Sequence, residues 1–353
     1  MSGTTYSTNA GRINEVKGEI LAHAMPVEVL AMGCTMKQMP TRQGDNITYR
    51  RYLPYGATVG TATTGHNTQN RPVAVASAHI LQEGVTPNAD QLIPVDVNVK
   101  QQQYGCLYSY TDKAAELYED DIPEEQKIQC GERIGLVREM IRYGTMRACT
   151  NVQYAGASTR QAVDETISLN ILRQMSRTLK ANHAKKTRRM LAPSANYDTY
   201  AIEASYTVFA HTDAEADIRD LPGFVPVAKY GSKNPISEEE IGSCEEFRFV
   251  LSPELGPYQN AATSITASTV GLYSTGGTNP DVYPFIVSGQ DSVFDVALRG
   301  LNSFDAYHIP HTKRDKSDPG CQRGYVGANF WSAVLIVNNG WMGVIEAGVS
   351  DLS

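Results

Sequence analysis

The sequence predicts an α+β fold whose main features are one long helix and one projecting two-stranded ribbon. Three observations lead there. Val95, Val97 and Val99 alternate with Asp96, Asn98 and Lys100, the period of a strand with one buried face. EDDIPEEQ at 119–126 is a strong helix start: its acidic residues meet the positive end of the helix dipole, and Pro123 suits the first turn. Beyond residue 198, short strand and short helix patterns alternate, and the chain closes in strands. With 353 residues, 41% hydrophobic and 20% charged, the chain is globular and fills two ordinary domains or one large interleaved one.

The elements follow in order. Residues 1–45 are rich in Gly, Thr and Asn and carry one amphipathic patch (Ile20, Leu21, Ala24, Val27, Leu30) broken by Pro26, which reads as an arm that docks on something. ITYRRYL (47–53) is a strand by alternation. YGATVGTATTGHNTQN (55–70) holds nothing that could anchor a core. VAVASAHIL (73–81) and LIPVDVNV (92–99) read as strands flanking a turn. After the glutamines at 101–103 the apolar parity moves from 95, 97 and 99 to 104, 106, 108 and 110, so the strand changes neighbours there.

The long helix is expected over 124–149, about 39 Å if unbroken. Its stripe runs through Cys130, Ile134, Val137, Ile141, Ala148 and Val152. Gly131, Gly135 and Gly144 each cost it roughly 1 kcal/mol against alanine, which suggests a close neighbour or a bend. A second helix is expected at about 163–184, ending in Lys180, Lys185, Lys186, Arg188 and Arg189. TYAIEASYTVFA is a strand, HTDAEADIRDLP a short helix capped near Thr212 or Asp213, and Ser237 with Glu240 a capping box ahead of IGSC. EFRFVLSP is a strand. Residues 255–282 read as a long loop. VYPFIVSGQDSVFDVALRG gives a strand, a turn and a short helix. RGYVGANFWSAVLIVNN and GWMGVIEAGV are closing strands.

Composition narrows function. A net charge of −7 excludes a basic footprint spread over the whole surface but leaves room for a local patch. The six cysteines have no CxxC spacing and read as reduced thiols of a cytosol-like compartment. The first residues lack the pattern of a secretory leader, and no apolar run approaches the ~20 residues of a membrane span.

His211, Asp213 and Asp217 form an HxD…D pattern that a metal-dependent hydrolase could use, but no further ligand is evident, so no metal and no cofactor is expected. The cluster Lys185, Lys186, Arg188 and Arg189 reads as contact with phosphates or as a solvated helix end with cations on the negative dipole terminus. Tyr104, Tyr108 and Tyr110 line one strand face beside Cys106, as a subunit interface or as an ordinary core face. No nucleophile elbow or phosphate-binding loop occurs.

The order of arm, ribbon, long helix, second helix, mixed domain and closing strands resembles the HK97 fold of tailed-phage major capsid proteins. The local words YRRYLP (49–54), LQEGVTP (81–87), QYG (103–105) with Asp112, FAHTDAEADIRDL (209–221), EIG (240–242) with FRFVLSPE (247–254), and VYPFIVSGQDSVFDVALRG (282–300) resemble the N4 gp56-like family. One departure is Thr212, where that family commonly has proline; the uncharged stretch before Asp281 is another.

The resemblance implies an N-terminal arm (1–45), an E-loop over an adjacent subunit (46–103), a peripheral domain with a spine helix (104–199), an axial domain (200–320) and closing strands returning to the peripheral domain (321–353). It implies no catalysis. Copies would assemble as hexamers and pentamers into an icosahedral shell around double-stranded DNA, with Arg50, Arg51, Val95, Val97, Val99 and Tyr104 at contacts between subunits and the basic cluster facing DNA weakly. A separate scaffolding protein, a portal, a decoration protein, assembly in the host cytoplasm and location in the virion follow as expectations. An encapsulin-like compartment is the alternative within the fold.

Overall fold

One helix organises the chain. In the computed structural model, which describes residues 27–42, 44–57, 72, 74–86, 89–187, 204–230, 235–298, 304–313 and 318–352, the longest helix is α2 (Ile122–Met146), preceded by the short α1 (Asp112–Leu117). Asp121 caps α2 by accepting the Glu124 N–H at 3.2 Å, and Glu124 and Glu125 occupy the first turn. Twenty-five residues give a rod of about 37 Å.

The expected single stripe is corrected. Cys130 and Ile134 face one hydrophobic cluster and Tyr143 and Met146 another, while Val152 lies beyond the helix in β5 (Val152–Tyr154). The helix lies between two sheets, so its buried face changes along its length. Of its glycines, Gly135 has the close neighbour, since a Cβ there would strike the Glu28 carboxylate; Gly131 and Gly144 face open space.

The first sheet holds β1 (Thr35–Met39), β4 (Gln102–Thr111), β11 (Val293–Leu298), β12 (Phe304–Ile309) and β13 (Arg323–Ile336). Along one edge β13 pairs with β4, along the other with β12 and then β11, and β1 joins β11 in parallel. Strand β13 alternates. Val326, Ala328 and Phe330 face α2, whereas Ala333 and Leu335 face away from it.

The second sheet runs in the order β5, β14 (Met342–Ala347), β10 (Tyr283–Ser288), β6 (Tyr206–Ala210), β9 (Phe247–Leu251), β8 (Glu240–Cys244), β7 (Val225–Pro226). Every residue of β6, β9, β10 and β14 is buried. Helix α3 (Leu169–Ala181) covers one face through Ile171, Leu172, Met175 and Leu179, and the C-terminal half of α2 covers the other. A sheet buried on both faces reads as continuous apolar runs. The closing strands separate: β13 lies in the first sheet and β14 inside the second.

Among the described residues, strands β2 (Asn46–Tyr52) and β3 (Pro94–Lys100) pair only with each other, antiparallel. Gln101, at the parity change, is buried and donates from its side chain to the Val296 carbonyl at 2.9 Å. The chain then passes from ribbon to sheet.

Five local expectations are revised. The short helix expected at the end of VYPFIVSGQDSVFDVALRG is instead strand β11, paired with β13. The described residues of 73–81 form a 3-10 turn at Ala76–His79 instead of a strand. The second helix is shorter than 163–184, and Val163 is buried outside it. Glu240 caps no helix: it opens β8, buried, and its carboxylate accepts the Tyr230 hydroxyl at 2.6 Å. The stretch 255–282 contains the short α5 (Ala267–Val270) and is tied down by Asp281, which accepts the Asn260 and Thr275 N–H groups at 2.7 and 3.0 Å. Near 211–219 a 3-10 turn leads into α4 (Glu215–Arg219), with His211 Nδ1 accepting the Asp213 N–H at 3.1 Å.

Candidate assembly surfaces

The ribbon carries its two faces differently. Ile47 opposes Val99, Tyr49 opposes Val97 and Arg51 opposes Val95 on the half-buried side. On the outer side Arg50 grips Asp96 through two hydrogen bonds of 2.7 and 2.8 Å. The half-buried side rests on its own subunit. Ile47, Tyr49, Val97 and Val99 pack on Met39, Val296, Ala333 and Leu335, and the Tyr49 ring meets Phe294 edge-on at 5.2 Å. Val97 and Val99, expected at contacts between subunits, pack on the first sheet of their own chain and remain half-exposed. Val95, half-buried, stands outside that cluster.

Beyond the paired strands the ribbon exposes large apolar groups. Ile80, Leu81 and Leu92 are 73%, 72% and 77% exposed, and Tyr55, Val75 and Val85 are exposed with them. Apolar side chains concentrated in one projecting segment mark a surface that another protein covers.

The second construction holds the segment from Val27 to Gly33. Val29 and Leu30 are buried at the start of a 3-10 turn (Leu30–Gly33) whose N-cap, Val29, has no side-chain acceptor. Glu139 of α2 supplies it, with one carboxylate oxygen accepting both the Val29 and Leu30 N–H groups at 2.8 Å. Ser252 adds a hydrogen bond to the Val27 carbonyl at 2.8 Å. One turn along α2, Arg142 donates twice to Asp295 of β11 at 2.9 and 2.8 Å, with Glu139 at 3.6 Å and Glu28 at 3.9 Å.

This hub is buried. Burial pushes the Glu139 carboxyl above the ordinary range despite its two N–H donors and Arg142. For Arg142, burial opposes the charge, but attraction and hydrogen bonding to Asp295 outweigh it and the net shift is upward. Sequence reading missed the hub. Glu139 and Arg142 look like a surface i,i+3 pair, and Asp295 lies 153 residues away.

The remaining expected residues disperse. Tyr104 stacks on Phe330 of its own sheet at 5.5 Å, and its hydroxyl donates to Gln102 at 2.8 Å. Lys186 lies 3.3 Å from Glu246, which also holds Lys180 at 2.7 Å. Lys185 is exposed, and Arg188 and Arg189 lie outside the described residues. Asp213 accepts the Tyr283 hydroxyl at 2.8 Å and Asp217 the Ser350 N–H at 2.9 Å, so both carboxylates serve the fold. Among the described residues no three His, Cys, Asp or Glu side chains group as a metal site, and no helix is long and apolar enough to cross a membrane. Cys106, Cys130, Cys149 and Cys244 are buried and all six thiols are free.

Comparison with known proteins follows this geometry. No family model matches the chain. The major capsid protein of Pseudomonas phage KPP21 is 20% identical over 342 residues, 87% of this chain and 85% of that protein. The capsid of Ralstonia phage GP4 superposes with a TM-score of 0.62 at 10% identity, covering 100% of both chains. The capsid of Helicobacter pylori bacteriophage KHP30 gives 0.61 at 11% identity over 99% of this chain and 98% of that one. That of Cyanophage Pam1 gives 0.55 at 15% over 99% and 100%. At such identities the likeness establishes the fold, which is the HK97-like capsid fold the sequence resembles.

Proposed function

We propose that this chain is the major capsid protein of a tailed phage of the N4 gp56-like group, a shell-forming protein with no catalytic role. The observation that carries the reading is the exposed apolar series at 75–92 on a projecting ribbon, in a chain superposable over its whole length on capsid subunits. A monomer gains nothing from Ile80, Leu81 and Leu92 in water; a lattice of copies buries them. In this reading residues 1–45 are the arm, 46–103 the E-loop, 104–199 the peripheral domain with α2 as its spine helix, 200–320 the axial domain and 321–353 the closing strands. Hexamers and pentamers close around double-stranded DNA, with each subunit making several modest contacts whose linkage multiplies their effect. A scaffolding protein, a portal and a decoration protein act with it, and assembly takes place in the host cytoplasm before the protein becomes part of the virion.

The test is deletion of residues 56–70 with electron microscopy of the product. A soluble subunit that makes no regular shells is expected. Normal shells from the deleted chain would remove the E-loop assignment.

A further inference from the structure

The outward face of α3 is basic, and the fold supplies it with its own counter-ions. LNILRQMSRTLKA contains no acidic residue. Its buried residues, Ile171, Leu172, Met175 and Leu179, lie against the second sheet, which turns Arg173, Arg177 and Lys180 to solvent. These three lie on one face, spaced four and three residues apart. Seven residues of helix span about 10.5 Å, comparable with about three axial steps of roughly 3.4 Å along one DNA strand. Lys186 continues the patch past the helix end, 3.3 Å from Glu246.

The turn between β8 and β9 reaches over this face. Glu245 accepts from Arg173 at 2.9 and 2.5 Å, and Glu246 holds Lys180 at 2.7 Å and Lys186 at 3.3 Å. Together Arg173, Ser176, Arg177, Lys180, Glu245 and Glu246 line one open depression. Burial raises the Glu246 carboxyl, but hydrogen bonds from Lys180 and Ser176 and the charge of Lys186 more than reverse this, so Glu246 stays ionised.

We infer that this depression is a phosphate-backbone contact for duplex DNA, with Glu245 and Glu246 as built-in brakes that keep the contact weak. The inference rests on the shell reading and moves the DNA-facing surface from the 185–189 cluster onto α3. Four cations, Arg173, Arg177, Lys180 and Lys186, against Glu245 and Glu246 leave the face positive in a protein whose net charge is −7. A duplex phosphate competes with each glutamate for the same guanidinium or ammonium, so binding costs the internal pair and is loose. Loose, salt-sensitive contact suits DNA that must be packed and later released.

The experiment is fluorescence anisotropy of a labelled duplex of about 30 bp with the full-length protein, titrated at several salt concentrations between roughly 50 and 200 mM. Each phosphate contact contributes about 0.9 to the slope of log affinity against log salt. Arg173→Gln, Arg177→Gln and Lys180→Gln combined should weaken binding and flatten the slope by roughly two to three. Glu245→Gln with Glu246→Gln, which keeps the shape of both side chains but removes their charge and one acceptor oxygen each, should tighten binding and steepen the slope by roughly one to two.

Unchanged affinity and slope in the glutamate variant overturns the inference even where the triple variant fails to fold. Loss of a polyglutamate probe by the triple variant, with duplex binding unchanged, assigns the face to an acidic protein and overturns it too. Electron microscopy of the same variants separates the two readings: shells that form while duplex binding is insensitive to both variants sink this inference alone, and a chain that never forms shells sinks the shell reading.

Discussion

Replacing Glu139 by alanine is the sharpest test of how the segment around Val29 and Leu30 is held. The variant removes the acceptor of two buried N–H groups, those of Val29 and Leu30. A buried donor left unsatisfied costs about 1–3 kcal/mol, so two give about 2–6. Relief of a desolvated carboxylate offsets part of this, leaving a local loss of about 3 kcal/mol. At 1.4 kcal/mol per tenfold, that is a fall in protection of roughly a hundredfold.

Hydrogen exchange read by mass spectrometry on a peptide spanning 27–34 measures it directly. Glu139→Gln keeps one oxygen able to accept both N–H groups and should preserve most of the protection. Wild-type protection at Val29 and Leu30 in the alanine variant would refute the reasoning, since the cap would then contribute nothing.

The same glutamate sets a pH dependence. Burial raises its carboxyl in the folded protein, so the folded state holds that proton more tightly than the unfolded chain does. Its contribution is full below the unfolded value of about 4.3 and is lost as pH rises through the folded value. The melting temperature of Glu139→Gln minus that of the wild type should therefore increase with rising pH in this range; a decrease contradicts the assignment. Arg142→Ala leaves Asp295 and Glu139 as buried carboxylates without their cation and should cost about 3–5 kcal/mol in denaturant unfolding; a change below 1 kcal/mol would show the hub to be hydrated. Ile80→Asp, Leu81→Asp and Leu92→Asp together alter exposed sites only, so subunit stability should hold within about 0.5 kcal/mol per site while sedimentation shows no large particles.

What could be read from the sequence was local. The acids and proline before α2 act within one turn, and the alternation of β2 and β3 is a property of each strand, so both elements were visible. The parity change after Lys100 was visible too, as the point where the ribbon joins β13. The hub was hidden because Arg142 meets Asp295 only after a parallel strand and two sheets have been placed. Asp281 looked like a stray charge at the end of a loop, yet it gathers that loop through the backbone. The 73–81 segment misled because its alternation has no pairing partner among the described residues. Its apolar groups are exposed, which is why the fold leaves them available and why propensity alone mistook them for a strand.

Cryo-electron microscopy of particles grown from the protein, with and without the proposed scaffolding protein, tests the central claim most directly. The account predicts closed shells in which Ile80, Leu81 and Leu92 of each copy lie buried against the next. Particles in which these side chains still face solvent, or a protein that stays monomeric at high concentration, would contradict it.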